Sequence, residues 1–311
     1  MAANVETKIW EERTAPWTGL GRKITEARTS KEALELAGLD WQVLQEPIYT
    51  GQDELIPGYK ANVRDQDHKV LGIVTEKYKV VQNEQAFGFT DALLEEGVRY
   101  ETAGVLQDGK RVWMLCKLQS EYIISGERIS PFLVIVNSHD SSSALKIALL
   151  PLRIRCSNML NLALKQAKRS WSTIHAGEVK KKMDEAKNTL FMAEKYMDNL
   201  GKEFEALRMK NLTDKEVVDY IDILLPTDNG ATIQQVKNIN RLKEDIKRRY
   251  FDAPDLQDVG KNAYRFINSI ADFCGHCSPL RQTENYWENQ FARNMEGNPL
   301  MDKAYQMVCA A

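Results

Sequence analysis

The sequence has few cysteines and no long apolar segment, and each shortage excludes a class of protein. The five cysteines among 311 residues are odd in number and scattered. The N-terminal stretch MAANVETKIWEERT carries acids and lacks the apolar core of an export signal. We therefore expect reduced thiols in a cytosolic protein rather than a disulfide-stapled secreted one. No apolar run approaches the roughly 18 residues of a membrane-spanning helix, so we expect no membrane partner.

Motifs that mark catalytic and cofactor sites are also missing. The chain contains no P-loop, dinucleotide fingerprint, HExxH or G-x-S-x-G elbow. One C-x-x-C stands at Cys274 to Cys277, but it ends a helical pattern, whereas a redox motif opens a helix after a strand. The sequence offers no second pair of ligands to complete a zinc site. We expect no metal and no cofactor, and we favour a protein that is not an enzyme.

A nearly neutral net charge hides a strong local asymmetry. The net charge is −2, yet nine basic residues and one acid, Glu178, lie between Leu145 and Lys182. That segment therefore carries +8 and the rest of the chain −10. A basic block in an acidic chain indicates a site for a polyanion. The alternative is that several of these cations are ordinary solvated helix residues.

Strand patterns and helix patterns separate along the chain. Apolar runs divided by turn residues predict strands up to about residue 156, and Asp108-Gly109 is typical of a two-residue hairpin turn. Thr29 and Glu32 form a capping box for a short helix that ends at Gly38. Helical periodicity dominates the remainder. The predicted fold class is α+β, with an antiparallel β-sheet and flanking helices in the N-terminal half and a helical C-terminal half.

The length of the chain indicates about two domains. We expect a sheet-rich domain over 1–156 and a helical domain packed on it over 157–311. The first helix of the second domain is predicted over about 158–170. The segment 172–177 lacks a helical apolar pattern, so we expect an exposed joint there.

A coiled-coil-like repeat marks the helix expected at about 178–209. Its apolar positions alternate at spacings of four and three over four heptads. They are Val179, Met183, Ala186, Leu190, Ala193, Met197, Leu200, Phe204 and Leu207. Such a stripe must be buried against another helix. The candidates are a later helix of the same chain, first of all 230–250, and the same helix of a second chain. We favour the second chain and expect a homo-oligomer.

A polar loop of sequence NSHDSSS, Asn137–Ser143, resembles hydrolase chemistry at first sight. His139, Asp140 and Ser141 are neighbours along an extended chain, so their side chains diverge and a catalytic triad is not expected. Two alternatives stay open. The loop is a hairpin whose side chains bond its own backbone, or it is an oxyanion pocket built from hydroxyls and amides.

The strand after this loop ends in two arginines with alternate spacing. Arg153 and Arg155 share a strand face, beside a helix N-terminus expected near Asn158, and that combination suits phosphate. The alternative is that both bond acidic neighbours or carbonyls. The expected helix then carries a basic polar face that could follow a nucleic-acid backbone. The candidate ligands for phosphate or nucleic acid are Asn137, His139, Ser141, Arg153, Arg155, Asn158, Lys165, Lys168 and Arg169.

Several stretches resemble one family, the phage/plasmid-like proteins built around domain of unknown function 932. They include APWTGLG, LGIVTEKYKVVQNEQAF, YETAGVLQDGKRVWMLCKL and VNSHDSSSALKIALLPLRIRCSNMLNLAL. The resemblance covers nearly the whole chain and is most specific in 70–164. Thr18 departs from the pattern, because many such proteins carry His after the Trp. The resemblance implies a phage, prophage or plasmid setting in a bacterial cytoplasm, and it brings no activity and no catalytic residues.

We therefore expect a nucleic-acid-binding protein of a mobile element, with single-stranded DNA binding or annealing as the most concrete form. A small phosphate ligand such as a nucleotide, bound or processed at the same loop and arginines, is the alternative from another class. A third alternative is an accessory that binds a host or phage protein and counters host defence.

Overall fold

The computed structural model describes residues 15, 17–143, 145–155, 158–164, 166–172, 179–277 and 283–310, without the side chains of 179–183 and 287. Its strands are β1 (Arg22–Lys23), β2 (Val43–Tyr49), β3 (Leu55–Arg64), β4 (Val70–Thr75), β5 (Arg99–Leu106), β6 (Arg111–Lys117), β7 (Tyr122–Ile124), β8 (Glu127–Ser138), β9 (Lys146–Arg153), β10 (Asn158–Met159) and β11 (Ser170–Ser172). Its helices are α1 (Ser30–Ala37), α2 (Asn83–Phe87), α3 (Thr90–Glu95), α4 (Val179–Met209), α5 (Asp214–Leu224), α6 (Ile233–Phe251), α7 (Ala263–His276), α8 (Tyr286–Glu296) and α9 (Pro299–Ala310). The antiparallel strands precede the long helices, which confirms the predicted α+β class.

Eight strands form the main sheet, in the order β1-β5-β6-β8-β9-β10, with β7 beside β8 and β11 beside β9. Strands β2, β3 and β4 form a separate antiparallel sheet. This small sheet is held against the loop that follows β8. Asn62 Nδ2 donates to the carbonyl oxygen of His139 over 2.6 Å, and a Cβ added at Gly72 would lie 2.6 Å from the Cα of Asp140. Glycine therefore permits the close approach that fixes the loop 139–143.

Apolar side chains cover both faces of the main sheet. One face packs under helices that include α1, α2, α4 and α7. On the other face, the Trp17 ring lies 4.8 Å from that of Phe132, and the Phe291 ring of α8 lies 4.6 Å from that of Trp113. Burial on both sides explains why the central strands read as continuous apolar runs.

Two local signals of the N-terminal half behave differently in the structure. One half of the capping box is present, since Thr29 Oγ1 accepts from the N–H of Glu32 at 3.2 Å. The Glu32 carboxylate instead accepts from the N–H of Arg28 at 2.8 Å, and Gly38 ends the helix with a φ of 70°. The hairpin at Asp108 is present, but Leu106 pairs with Arg111, so its loop has four residues where two were predicted. A two-residue turn with positive φ at both positions occurs instead at 125–126, between β7 and β8.

The helix predicted over 158–170 is wrong. Two short strands, β10 and β11, lie in this region and both pair with β9. The N–H of Leu160 also donates to the carbonyl of Pro151, and Met159, Leu160 and Leu162 are buried. The free edge of β9 thus supplies hydrogen bonds and apolar cover that outweigh a weak local helical pattern. The sheet continues beyond residue 156, where we placed the domain boundary, and most of the joint predicted at 172–177 lies outside the described residues.

The long heptad-patterned helix is confirmed as α4. Its principal contacts are with α3 and α7 rather than with the helix first expected over 230–250. The described stripe positions that are buried are Ala186, Ala193, Met197, Leu200, Phe204 and Leu207. Because the chain itself covers these six positions, they do not require a second chain. None of the helices that the structure describes is long and apolar enough to cross a lipid bilayer.

Candidate nucleic-acid interface

The polar loop after β8 is anchored by a buried histidine. His139 is 0% exposed, and its Nε2 lies 3.0 Å from Oδ1 of Asn83. Its backbone N–H donates to the carbonyl of Lys110 at 2.8 Å. Burial lowers the pKa of His139 to about 4, so the ring is neutral near pH 7. It holds the loop in place and has no exposed surface to offer a ligand.

The next two residues do not complete a catalytic relay. Asp140 Oδ1 accepts from the backbone N–H of Ser142 at 2.9 Å. Burial opposes ionisation of this carboxyl, but its hydrogen bonds with Ser142 and the positive charge of Arg111 outweigh burial and lower its pKa. Ser141 is exposed and has a φ of 62°, a left-handed conformation uncommon outside glycine. The loop mainly bonds its own backbone, as the hairpin alternative predicted.

Two candidate asparagines are structural. Asn137 is 2% exposed and its Nδ2 donates to the carbonyl of Val81 at 3.0 Å. Asn158 is buried in β10, where it pairs with Arg153 of β9. Neither side chain is placed to meet a ligand from solvent.

Arg153 is buried among carboxylates, which corrects its assignment to a phosphate-binding face. Its guanidinium is 0% exposed and donates to Asp255 Oδ2 at 2.6 Å and to Glu127 Oε1 at 2.7 Å. Arg155 is 47% exposed, and its nitrogens lie 3.9 Å from Glu127 and 3.8 Å from Asp258. The alternative of acidic neighbours therefore describes both arginines, and Arg153 joins the sheet to the helical part.

Arg169 is also occupied inside the fold. It is 9% exposed and donates to the carbonyls of Leu149, Asn294 and Met295 at 3.1, 3.2 and 2.8 Å. The last two carbonyls belong to the C-terminal turn of α8, where a cation is favourable. Lys168 is exposed, and Lys165 lies outside the described residues. Because the described residues of 158–172 form no helix, Lys168 and Arg169 do not lie on the expected helix face.

The structure instead brings together two cations that the sequence did not single out as ligands. Arg111 opens β6 opposite Ser138 of β8, and Lys146 opens β9 opposite Val136. Val136 and Ser138 are two positions apart on β8, so their side chains lie on the same face of the sheet. Arg111 and Lys146, which pair with them, therefore lie on that same face, beside the loop. Lys110, exposed, precedes Arg111. We call Lys110, Arg111, Lys146 and the loop 139–143 the sheet-end cluster.

The positive charges of the sheet-end cluster are only partly balanced by nearby carboxylates. The Arg111 side chain is 22% exposed and its Nη1 lies 3.1 Å from Glu296 Oε1. Its Nε is buried and has no hydrogen-bond partner among the described residues. Burial is the main cause that lowers the pKa of Lys146, and the positive charges of Arg169 and Arg111 lower it further. The negative charge of Glu296 raises this pKa and offsets part of the effect. A bound anion would relieve this like-charge crowding.

No sequence motif marked Arg111, because it follows an ordinary hairpin. Its nearness to the loop depends on β6 lying next to β8, a pairing of strands that the local pattern does not reveal. Lys146 belonged to the basic block found in the sequence, but its partner across β8 did not.

The C-x-x-C lies at the C-terminal end of α7, as predicted. Burial raises the pKa of both Cys274 and Cys277 to about 12, which disfavours the thiolate that redox exchange requires. Cys274 is a free thiol. The part of the chain that the structure describes contains no cluster of three or more side chains suited to a metal ion.

Residues 70–296 match the sequence model of the family described as Domain of unknown function (DUF932). That range includes the sheet-end cluster and most of the stretches that carry the resemblance. No curated protein and no solved structure matches the chain.

Proposed function

The chain belongs to the DUF932 family, and because that membership brings no activity with it, we propose a function from the chain's own geometry. The protein binds nucleic acid without catalysis, through phosphates that meet the sheet-end cluster. Single-stranded DNA is the first candidate ligand, and a mobile element in a bacterial cytoplasm is the proposed setting.

The observation that carries the proposal is the pair Arg111 and Lys146 on either side of β8. Neighbouring strands lie about 4.8 Å apart, so the ends of β6 and β9 stand roughly 10 Å apart, wider than one phosphate group. Lys110 is exposed, and its carbonyl accepts from the N–H of His139, so it adds a third cation next to the loop. A ligand with successive phosphates therefore matches the cluster better than a single anion does. Asp140 and Glu296 moderate the positive charge, and contacts to phosphates carry no sequence information directly.

A nucleotide is the second candidate, and one observation favours it. Arg111 and Lys146 lie close enough for the charge of one to lower the pKa of the other. Two flexible side chains this close could also converge on one polyphosphate. A nucleotide would then raise the melting temperature and compete with DNA, whereas the strand proposal predicts little effect of a mononucleotide.

Self-association remains part of the proposal, although its original basis has changed. The buried stripe positions from Ala186 to Leu207 pack within the chain and offer no surface that two copies could share. Light scattering at micromolar concentration tests the oligomeric state directly. A monomer would remove this part and leave the binding proposal intact.

The test is fluorescence anisotropy of a labelled single-stranded 30-mer against the double variant Arg111→Ala/Lys146→Ala. Each phosphate contact on a single strand contributes about −0.7 to the slope of log K against log salt. Losing two contacts should flatten the slope by about 1.4. The matched control is Lys117→Ala/Arg128→Ala, which removes equal charge at the opposite end of β6 and β8, where both cations pair with Glu121. Equal losses in both variants would contradict the assigned site.

A further inference from the structure

The cations of α6 fall into two groups, and the first group is neutralised by neighbouring carboxylates. Lys243 Nζ lies 2.8 Å from Asp222, and Lys247 Nζ lies 2.7 Å from Glu244. Arg249 is 3% exposed and lies 2.5 Å from Asp272. Lys243 and Arg249 join α6 to neighbouring helices and Lys247 pairs within α6, so all three cations already have a carboxylate partner.

The second group is exposed and forms one row. Lys237, Arg241 and Arg248 are exposed, and none has an ion-pair partner among the residues the structure describes. At 3.6 residues per turn, these positions lie within about 40° of one another around the helix axis. A rise of 1.5 Å per residue separates the first from the last by about 16 Å. We call these three residues the α6 row.

The N-terminal half of α6 is less buried than its C-terminal half, although Leu242 packs partly against the core. The buried residues of this helix are Ile246, Arg249 and Tyr250, all in its last two turns. From 233 to 245 no side chain is buried. A helix is about 10–12 Å wide, which fits the major groove of B-form DNA, about 12 Å wide. Gln234 and Asn240, both exposed beside the row, carry the amide donors and acceptors that can face a groove.

We infer that the α6 row binds the phosphate backbone of duplex nucleic acid, with the exposed N-terminal half of α6 facing a groove. The inference rests on the proposed function, because it takes nucleic acid as the ligand, and it adds a second contact surface. Single-strand binding normally stacks bases on exposed aromatic rings. The two aromatic residues of α6, Tyr250 and Phe251, lie at its packed end. Cations and amides without an exposed ring favour a duplex over a single strand.

The test compares a labelled 20-base-pair duplex with the single-stranded 30-mer. The triple variant Lys237→Ala/Arg241→Ala/Arg248→Ala removes the row, and alanine preserves the helix because it has the highest helix propensity. Three contacts on B-form DNA contribute about −2.7 to the salt slope, so the variant should flatten the duplex slope by about that amount. The matched control is Lys243→Ala/Lys247→Ala/Lys261→Ala, which removes the same charge from cations that are already paired.

The inference holds if the row variant loses duplex affinity and the control keeps it. It is overturned if both variants lose affinity equally, if the duplex slope does not change, or if the row variant weakens only the single strand. The two proposals fail separately. If no nucleic acid binds at all, the proposed function fails and the inference falls with it. If binding of the 30-mer depends on Arg111 and Lys146 but duplex binding is unchanged in the row variant, only the inference fails.

Discussion

Arg153 offers the sharpest contrast between a binding residue and a structural one. Its guanidinium is 0% exposed and donates to two carboxylates, those of Glu127 and Asp255, which are themselves 13% and 12% exposed. Replacing Arg153 with alanine removes the guanidinium that these two carboxylates share and leaves them in a poorly solvated position. Breaking a buried ion pair from one side costs about 3–5 kcal/mol, and we expect the free energy of unfolding to fall by about that amount.

The matched control is Arg155→Ala, because Arg155 is 47% exposed and lies 3.9 Å from the same Glu127 carboxylate. Exposed ion pairs contribute about 0–1 kcal/mol, so this variant should stay close to the wild type. Urea unfolding followed by circular dichroism measures both. A loss of less than about 1 kcal/mol for Arg153→Ala, together with weaker DNA binding, would refute the structural role and restore Arg153 as a phosphate ligand.

Burial holds the pKa of His139 at about 4, against roughly 6.5 when unfolded. Between those values the unfolded state binds more protons, so stability falls by roughly 3 kcal/mol as the pH drops through that window; His139→Gln should flatten that part of a urea-midpoint profile. Asp140→Asn removes a carboxylate near Arg111 but keeps an acceptor for Ser142, and should tighten 30-mer binding by about fivefold, or ~1 kcal/mol; unchanged or weaker binding would count against the cluster. Leu190→Asp should lower the urea midpoint without changing the mass seen by light scattering, since α4 packs within the chain.

Local signals predicted local structure well. The N-cap at Thr29 and the glycine that ends the helix at Gly38 both appear as expected, because each depends only on residues a few positions away. The heptad pattern likewise located α4. What covers that helix was not predictable in the same way, because α3 and α7 come from opposite sides of it in the sequence.

The candidate site was predicted less well, and the reason is physical. A run of basic residues was interpreted as exposed, but the partners that bury Arg153 lie 26 and 102 positions away in the chain. Arg169 is held by carbonyls about 125 positions away. Charge patterns along a sequence cannot distinguish a solvated cation from one whose carboxylate or carbonyl arrives through tertiary packing.

Anisotropy of the wild-type protein with a single-stranded 30-mer, titrated at several salt concentrations, tests the central claim most directly. Non-specific nucleic-acid binding usually has a Kd of about 10⁻⁴–10⁻⁶ M at physiological salt. We predict binding below about 10 µM at low salt, weakening steadily as salt is added, with little competition from a mononucleotide. If neither DNA nor RNA, single- or double-stranded, binds below about 10 µM at low salt, the nucleic-acid proposal is wrong.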